Sequence, residues 1–369
     1  MSRSHALFDQ WYECGDKKFL NIWQAFDYQK KSGHFPHYRF DQEFLNSIKN
    51  IKRPKNLNHQ YIKNLIVTRL RQLRQQYKYL RLALGGGTDS FSILKYCVEH
   101  DIYLDEVFCE MTSVDKTLLK PNIEFEPALR FAEQHIGKNI GRVIRSHPTI
   151  NELESVLSEG WYKDSNIVRG NHLPGRWHIL SVYYKKTKLP IEETLTITGI
   201  DKPSILRHED KFYWCQLDST ISEIMGCKNI IPLFFDKENP ELSVAMTYGL
   251  LDTASLSNTL INYSNQPKHK KLGVLHSMGL ESTGHHYIDF HVLGKNVIDI
   301  HNKKNQLFHK ELKLLNRKDI RNAFYSSVEK VYNDYKDLPH AIHVKDGKYS
   351  GTVKRYTQEI PIYQDFFGA

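Results

Sequence analysis

The residues best suited to chemistry stand in one short run, Gly85-Gly86-Gly87-Thr88-Asp89-Ser90. Three successive glycines let a backbone turn sharply and approach a ligand with no Cβ in the way. Their amides, with those of Thr88, Asp89 and Ser90, can point at phosphate oxygens. A helix starting near Ser90 adds its N-terminal partial positive charge. The expected result is a cradle for a polyphosphate. Asp89 is the best magnesium ligand in reach, since a hard cation takes carboxylate and phosphate oxygens and keeps its waters. As a helix cap, the same carboxylate needs no metal. A second cluster, Thr198-Gly199-Ile200-Asp201-Lys202-Pro203, sets an acid and a lysine just after an apolar run.

Both clusters need elements to hold them. Residues 79–84, Tyr-Leu-Arg-Leu-Ala-Leu, read as a short buried strand ending at the glycines. Phe91, Ile93, Leu94, Cys97 and Val98 then mark the apolar face of a helix, and residues 105–111 read as a second strand. The alternation continues with a helix over 127–136, a strand over 141–145, helices over 151–158 and 177–186, and a strand over 195–199. At least four strands with helical crossovers predict a parallel α/β domain. The strand over 195–198 is too apolar for the surface. Parallel pairing would bring its carboxyl end to the edge that carries Gly85–Ser90, where ligands of open α/β sheets bind. Before this domain, Asp41 marks a helix start and residues 61–79 an amphipathic helix with a basic outer face. After it come a helix over 241–251, a helix near 321–335 and an irregular tail.

A P-loop needs a Gly-Lys-Ser/Thr ending that is absent here, and a Rossmann fingerprint needs glycine where Ser90 stands. The run instead resembles Ser-Gly-Gly-x-Asp-Ser, the pyrophosphate loop of the PP-loop (N-type) ATP pyrophosphatases. Five of the six motif positions agree, counting the variable one. Gly85 departs from the usual serine and costs one hydroxyl donor. The resemblance spans about residues 78–248 and is strongest at the loop.

That resemblance implies an adenine nucleotide alpha hydrolase type of fold, with ATP and Mg2+ as cofactors. It implies cleavage of ATP to AMP and pyrophosphate, activating a carboxylate or carbonyl oxygen for attack by a nitrogen nucleophile. Gly85, Gly86, Gly87, Thr88, Asp89 and Ser90 would hold the phosphates. By analogy Glu110 and Met111 would line the adenine and ribose pocket. In the asparagine-synthetase branch a strand ending in glycine and acids closes the pyrophosphate and Mg2+ site. On that likeness Asp89 and Asp201 would ligate the metal, and Lys202 would neutralise the leaving pyrophosphate. The segment Ile231-Pro232-Leu233-Phe234-Phe235-Asp236 is similar to acceptor-side segments of such proteins. The polar loop over 169–178 reads as a site for an acidic substrate or as a solvated loop, and His285-His286 as structural.

Composition narrows the alternatives. Apolar residues make up 40% of 369, enough for a sizeable core. No apolar run is long enough to span a membrane, and residues 1–19 lack a secretory signal, so a cytoplasmic protein is expected. Five dispersed cysteines, none at CxxC spacing, argue against a zinc knuckle, an iron–sulfur cluster or a thioredoxin-like site. No cysteine follows Met1, so a built-in glutaminase is not expected. The net charge of +9, with Lys and Arg spread along the chain, admits a nucleic-acid partner or a soluble surface around a nucleotide site. The reading is therefore a helical N-terminal region (1–78), a PP-loop domain (79–250) and a C-terminal extension (251–369). The favoured activity is an asparagine-synthetase-like ligase lacking a glutaminase, with a small-molecule acceptor and nucleophile not legible in the sequence. A tRNA- or nucleobase-modifying enzyme similar to lysidine synthetase is the second reading. A nucleotide-binding module without catalysis, consistent with Gly85, is the third.

Overall fold

The computed structural model describes residues 11–19, 22–39, 41–85, 88–110, 125–146, 188–199, 204–208, 211–215, 229–256, 343–345, 348–350 and 360–363. In chain order the elements are β1 (Trp11–Cys14), β2 (Lys17–Phe19), α1 (Ile22–Ser32), β3 (Pro36–Arg39), α2 (Gln42–Asn50), α3 (His59–Gln76), β4 (Tyr79–Ala83), α4 (Thr88–Glu99), β5 (Glu106–Glu110), α5 (Phe125–Gln134), β6 (Val143–Ser146), β7 (Thr194–Thr198), β8 (Ser204–His208), β9 (Lys211–Cys215), β10 (Ile230–Pro232), α6 (Pro240–Leu256), β11 (His343–Lys345), β12 (Lys348–Ser350) and β13 (Ile360–Tyr363).

The centre is a five-stranded sheet ordered β10-β7-β4-β5-β6, parallel throughout. The expected α/β class is therefore observed. Numbered by appearance within the sheet, the order is 3-2-1-4-5, so the chain reverses its direction of travel between β4 and β7. Such a reversal opens a crevice outside the carboxyl ends of the two strands. One face of the sheet, with Leu80, Leu82, Val107, Cys109, Leu195 and Ile197, packs into a single apolar cluster with residues of α3, α4, α5 and α6. The alternate positions carry Arg81, Glu106, Thr194, Thr196 and Thr198, all buried.

Several elements follow from local signals. Asp41 caps α2, its carboxylate accepting from the Phe44 amide at 2.9 Å, and Asn58 caps α3 in the same way through Tyr61. Residues 242–249 of α6 are buried without a break, because this helix is apolar on every side. No helix among the described residues is long and apolar enough to cross a membrane.

Other elements differ from expectation. The N-terminal region is not purely helical: β2-β1-β3 form an antiparallel sheet. Its hairpin turns at Gly15 and Asp16, with Gly15 at φ +61°, a conformation that favours glycine in a two-residue turn. Helix α3 packs in the same apolar cluster as the central sheet. The fifth strand, β10, is only three residues long. The tail is not wholly irregular: β13 joins β9 and β8 in an antiparallel sheet, with a register irregularity between Pro361 and Tyr363. Proline is at home at such a break, having no amide to give the ladder. The helices expected over 151–158, 177–186 and 321–335, the loop over 169–178 and His285-His286 lie outside the described residues.

Candidate functional site

Strand β4 delivers the loop. Its last residues are buried up to Leu84, whose amide donates to the Phe108 carbonyl at 2.7 Å, and the chain then surfaces at Gly85. Five residues later the Ser90 hydroxyl accepts from the Gly85 amide at 3.0 Å. Ser90 is itself buried, so its hydroxyl closes the loop from beneath. Helix α4 starts at Thr88, placing Asp89 inside its first turn rather than at the cap. Asp89 is half-buried. A first turn leaves backbone amides without intrahelical acceptors and carries the positive end of the helix dipole. Gly86 and Gly87 lie outside the described residues, and Thr88 is described in its backbone alone.

The neighbouring strands end at the same edge. Register pairs Ala83 with Phe108 of β5 and with Thr198 of β7. Glu110, the last residue of β5, thus stands level with Gly85, and its backbone pairs with Ser146. The parallel pairing expected of the strand ending at Thr198 is observed. Met111, Asp201 and Lys202 follow these strand ends but lie outside the described residues.

Gly199 makes the closest approach in the site. A Cβ there would sit 2.6 Å from the Ser90 nitrogen and 2.9 Å from both the Asp89 carbonyl carbon and the Ser90 Cα. The end of β7 therefore rests directly on the first turn of α4, with no room for a side chain between them. Thr198 is held in turn by β10, its hydroxyl donating to the Ile231 carbonyl at 3.3 Å. Sequence reasoning read Gly199 as the end of a buried strand and gave the chemical roles to the acid and the lysine after it. The contact of this glycine with the backbone of α4 depends on tertiary packing, which the sequence does not show.

Beneath the loops, the polar face of the sheet holds a charge ladder that the sequence did not disclose. Arg81 Nε and Nη2 donate to the Thr196 hydroxyl at 3.0 and 2.7 Å. Its Nη1 lies 3.7 Å from Glu106 Oε1, and Glu106 Oε2 accepts from Arg142 Nε at 2.8 Å. Arg81 and Glu106 are 3% and 0% exposed at the side chain. Asp236, part of the segment likened to an acceptor side, is buried against Arg69 at 2.5 Å, and Glu238 joins at 2.8 Å. There its carboxylate ties the connection between β10 and α6 to α3.

The donor set discriminates among metals. Among the described residues no three His, Cys, Asp or Glu side chains gather as a metal cluster. One carboxylate, Asp89, beside a glycine-rich loop would fit Mg2+, which keeps several waters and takes one or two carboxylates plus phosphate oxygens. Cys97, on α4, is buried, and burial pushes its thiol up to about 12, so it stays protonated at neutral pH. Comparison with models of known protein families and with curated protein sequences returns no match.

Proposed function

We propose that this protein is an AMP-forming enzyme of the PP-loop type, binding ATP at the carboxyl edge of its central sheet. One observation carries the reading: a glycine-rich loop and helix N-terminus stand at the reversal point of a 3-2-1-4-5 parallel sheet, with Gly199 seated against them. The amides of the loop and of the first turn of α4 hold the phosphates. Asp89 would hold Mg2+, which would neutralise charge on the phosphate oxygens. ATP supplies an α-phosphorus for attack by an acceptor oxygen, pyrophosphate leaving first and AMP leaving when a nitrogen nucleophile takes the activated carbon. On this reading Glu110 and Met111 would serve the nucleoside, and Asp201 and Lys202, next in sequence after Gly199 and Ile200, would serve the metal and the pyrophosphate. The protein's contribution is positioning and charge neutralisation in a preformed frame.

The test is incubation with Mg-ATP and a panel of carboxylic acids with ammonia or amines, followed by nucleotide analysis. AMP and pyrophosphate are the expected products. ADP and orthophosphate as primary products would overturn the assignment, and nucleotide binding without any cleavage would reduce the site to a binding module.

A further inference from the structure

The positive charge of this protein is segregated. Residues 1–78 hold 15 Lys and Arg against 6 Asp and Glu, whereas residues 79–369 hold 36 of each. The whole net charge of +9 therefore belongs to the first 78 residues. Within them, positions 44–88 carry ten Lys and Arg and not one acid. Lys and Arg needed only for solubility have no reason to gather this way.

The structure separates those ten by use. Arg69, Arg74 and Arg81 pair with Asp236, Asp105 and Glu106, while Lys63 and Lys78 pair with Glu99 and Glu193. These five tie the α3–β4 segment to the rest of the fold. Of the other five, Arg71 is exposed on α3, and four gather at the end of α2 and in the linker to α3, where Lys49, Lys52, Arg53 and Lys55 are all exposed within seven positions. Among the described residues Lys49, Lys52 and Lys55 meet no carboxylate, and Arg53 lies over the Tyr248 ring at 5.6 Å.

We infer that this linker is a nucleic-acid-binding surface and that RNA or DNA is a partner of the protein. Short runs rich in Lys and Arg on an exposed segment match a repeating phosphate backbone. An anionic membrane shares that charge, but stable anchoring there takes a second signal beside the basic patch, such as inserted apolar side chains. The exposed large apolar residues among those described are Phe35, Tyr103 and Ile136, none of them in the linker. Asn50, Asn56 and Asn58 flank the cations and supply amide groups suited to phosphate and sugar oxygens. The inference stands apart from ATP turnover.

The experiment uses the full chain without nucleotide, with fluorescently labelled bulk tRNA titrated at several salt concentrations. Affinity should fall steeply as salt rises. Each phosphate contact contributes about 0.7–0.9 to the log–log slope. Joint replacement Lys49→Gln, Lys52→Gln, Arg53→Gln and Lys55→Gln should flatten that slope by about 3 and leave the circular dichroism spectrum unchanged. A control with Arg130→Gln, Lys138→Gln and Lys188→Gln, exposed positions in the charge-balanced part, should leave the slope near wild type. Absence of salt-dependent RNA binding, equal loss in both variants, or binding only to vesicles containing phosphatidylserine would each overturn the inference. Because AMP production is measured separately, failure of either reading leaves the other standing.

Discussion

Gly199→Ala is the sharpest test of the site. The new methyl group would lie 2.6 Å from the Ser90 nitrogen, and ordinary van der Waals contact begins near 3.4 Å, so about 0.8 Å of separation must be found. All three near atoms are backbone, in the first turn of α4, so no side chain can rotate away. Either β7 recedes from β4 or the first turn of α4 is pushed outward. Overpacking of this kind costs about 1–3 kcal/mol. If the α4 turn moves, the amides and Asp89 move with it, and a displacement near 1 Å at a reacting centre costs about a hundredfold in rate. Guanidinium unfolding reads the first effect; a fluorescent ATP analogue and AMP release read the second. Wild-type stability would show that β7 does not press on α4. Lowered stability with undiminished nucleotide binding and AMP release would show that the contact is real but that this edge is not the site.

Three further outcomes are expected. Asp89→Ala should abolish AMP release while costing about 0.3–1 kcal/mol of stability, the usual worth of an acid in a first helical turn; normal turnover in a variant that merely melts earlier would leave Asp89 a helix-dipole residue only. Glu106→Gln removes the buried carboxylate that faces both Arg81 and Arg142 and should cost about 3–5 kcal/mol in denaturant unfolding, with a loss below 1 kcal/mol refuting the charge ladder. Burial pushes the Glu99 carboxyl up, but the hydrogen bond and charge of Lys63, with Lys95, outweigh it and hold the group below its ordinary value. Its contribution to stability is therefore present above the ordinary glutamate range and lost as pH falls through the folded value, so Lys63→Gln should lower stability at pH 7 and narrow the gap as pH drops. An identical pH dependence in wild type and variant would show that the pair contributes nothing.

What the sequence disclosed and what it hid divide along physical lines. Strand β4, the glycines and α4 were legible because a period-2 run, a backbone breaker and a helical apolar face follow one another within about twenty residues. The Asp41 cap was legible for the same local reason. Strand β10 was not, since three residues show no periodicity, and β1 to β3 are too short to stand out against the helices around them. The ladder of Arg81, Thr196 and Glu106 depends on register among three strands, which a single chain read in order does not show. Gly199 was seen as a neighbour of Asp201, but its contact is with backbone more than a hundred residues earlier. The segregation of charge was present throughout and overlooked, because ten cations dispersed over 45 positions do not look like a block until the missing acids are counted.

The pairing of β13 with β9 bears on how the protein is made. Strand β9 leaves the ribosome long before its partner, with Trp214 and Ile360 separated by roughly 145 residues. At ordinary elongation rates of about 5–20 residues per second, that interval lasts roughly 7–30 s. During it, the hairpin of β8 and β9 presents a strand edge, Lys-Phe-Tyr-Trp-Cys, with three aromatic residues in succession and an unfilled row of amides and carbonyls. Such an edge invites pairing with other nascent chains. Expression at lower temperature and lower induction, which thins the population of chains still waiting for β13, should therefore raise the soluble fraction.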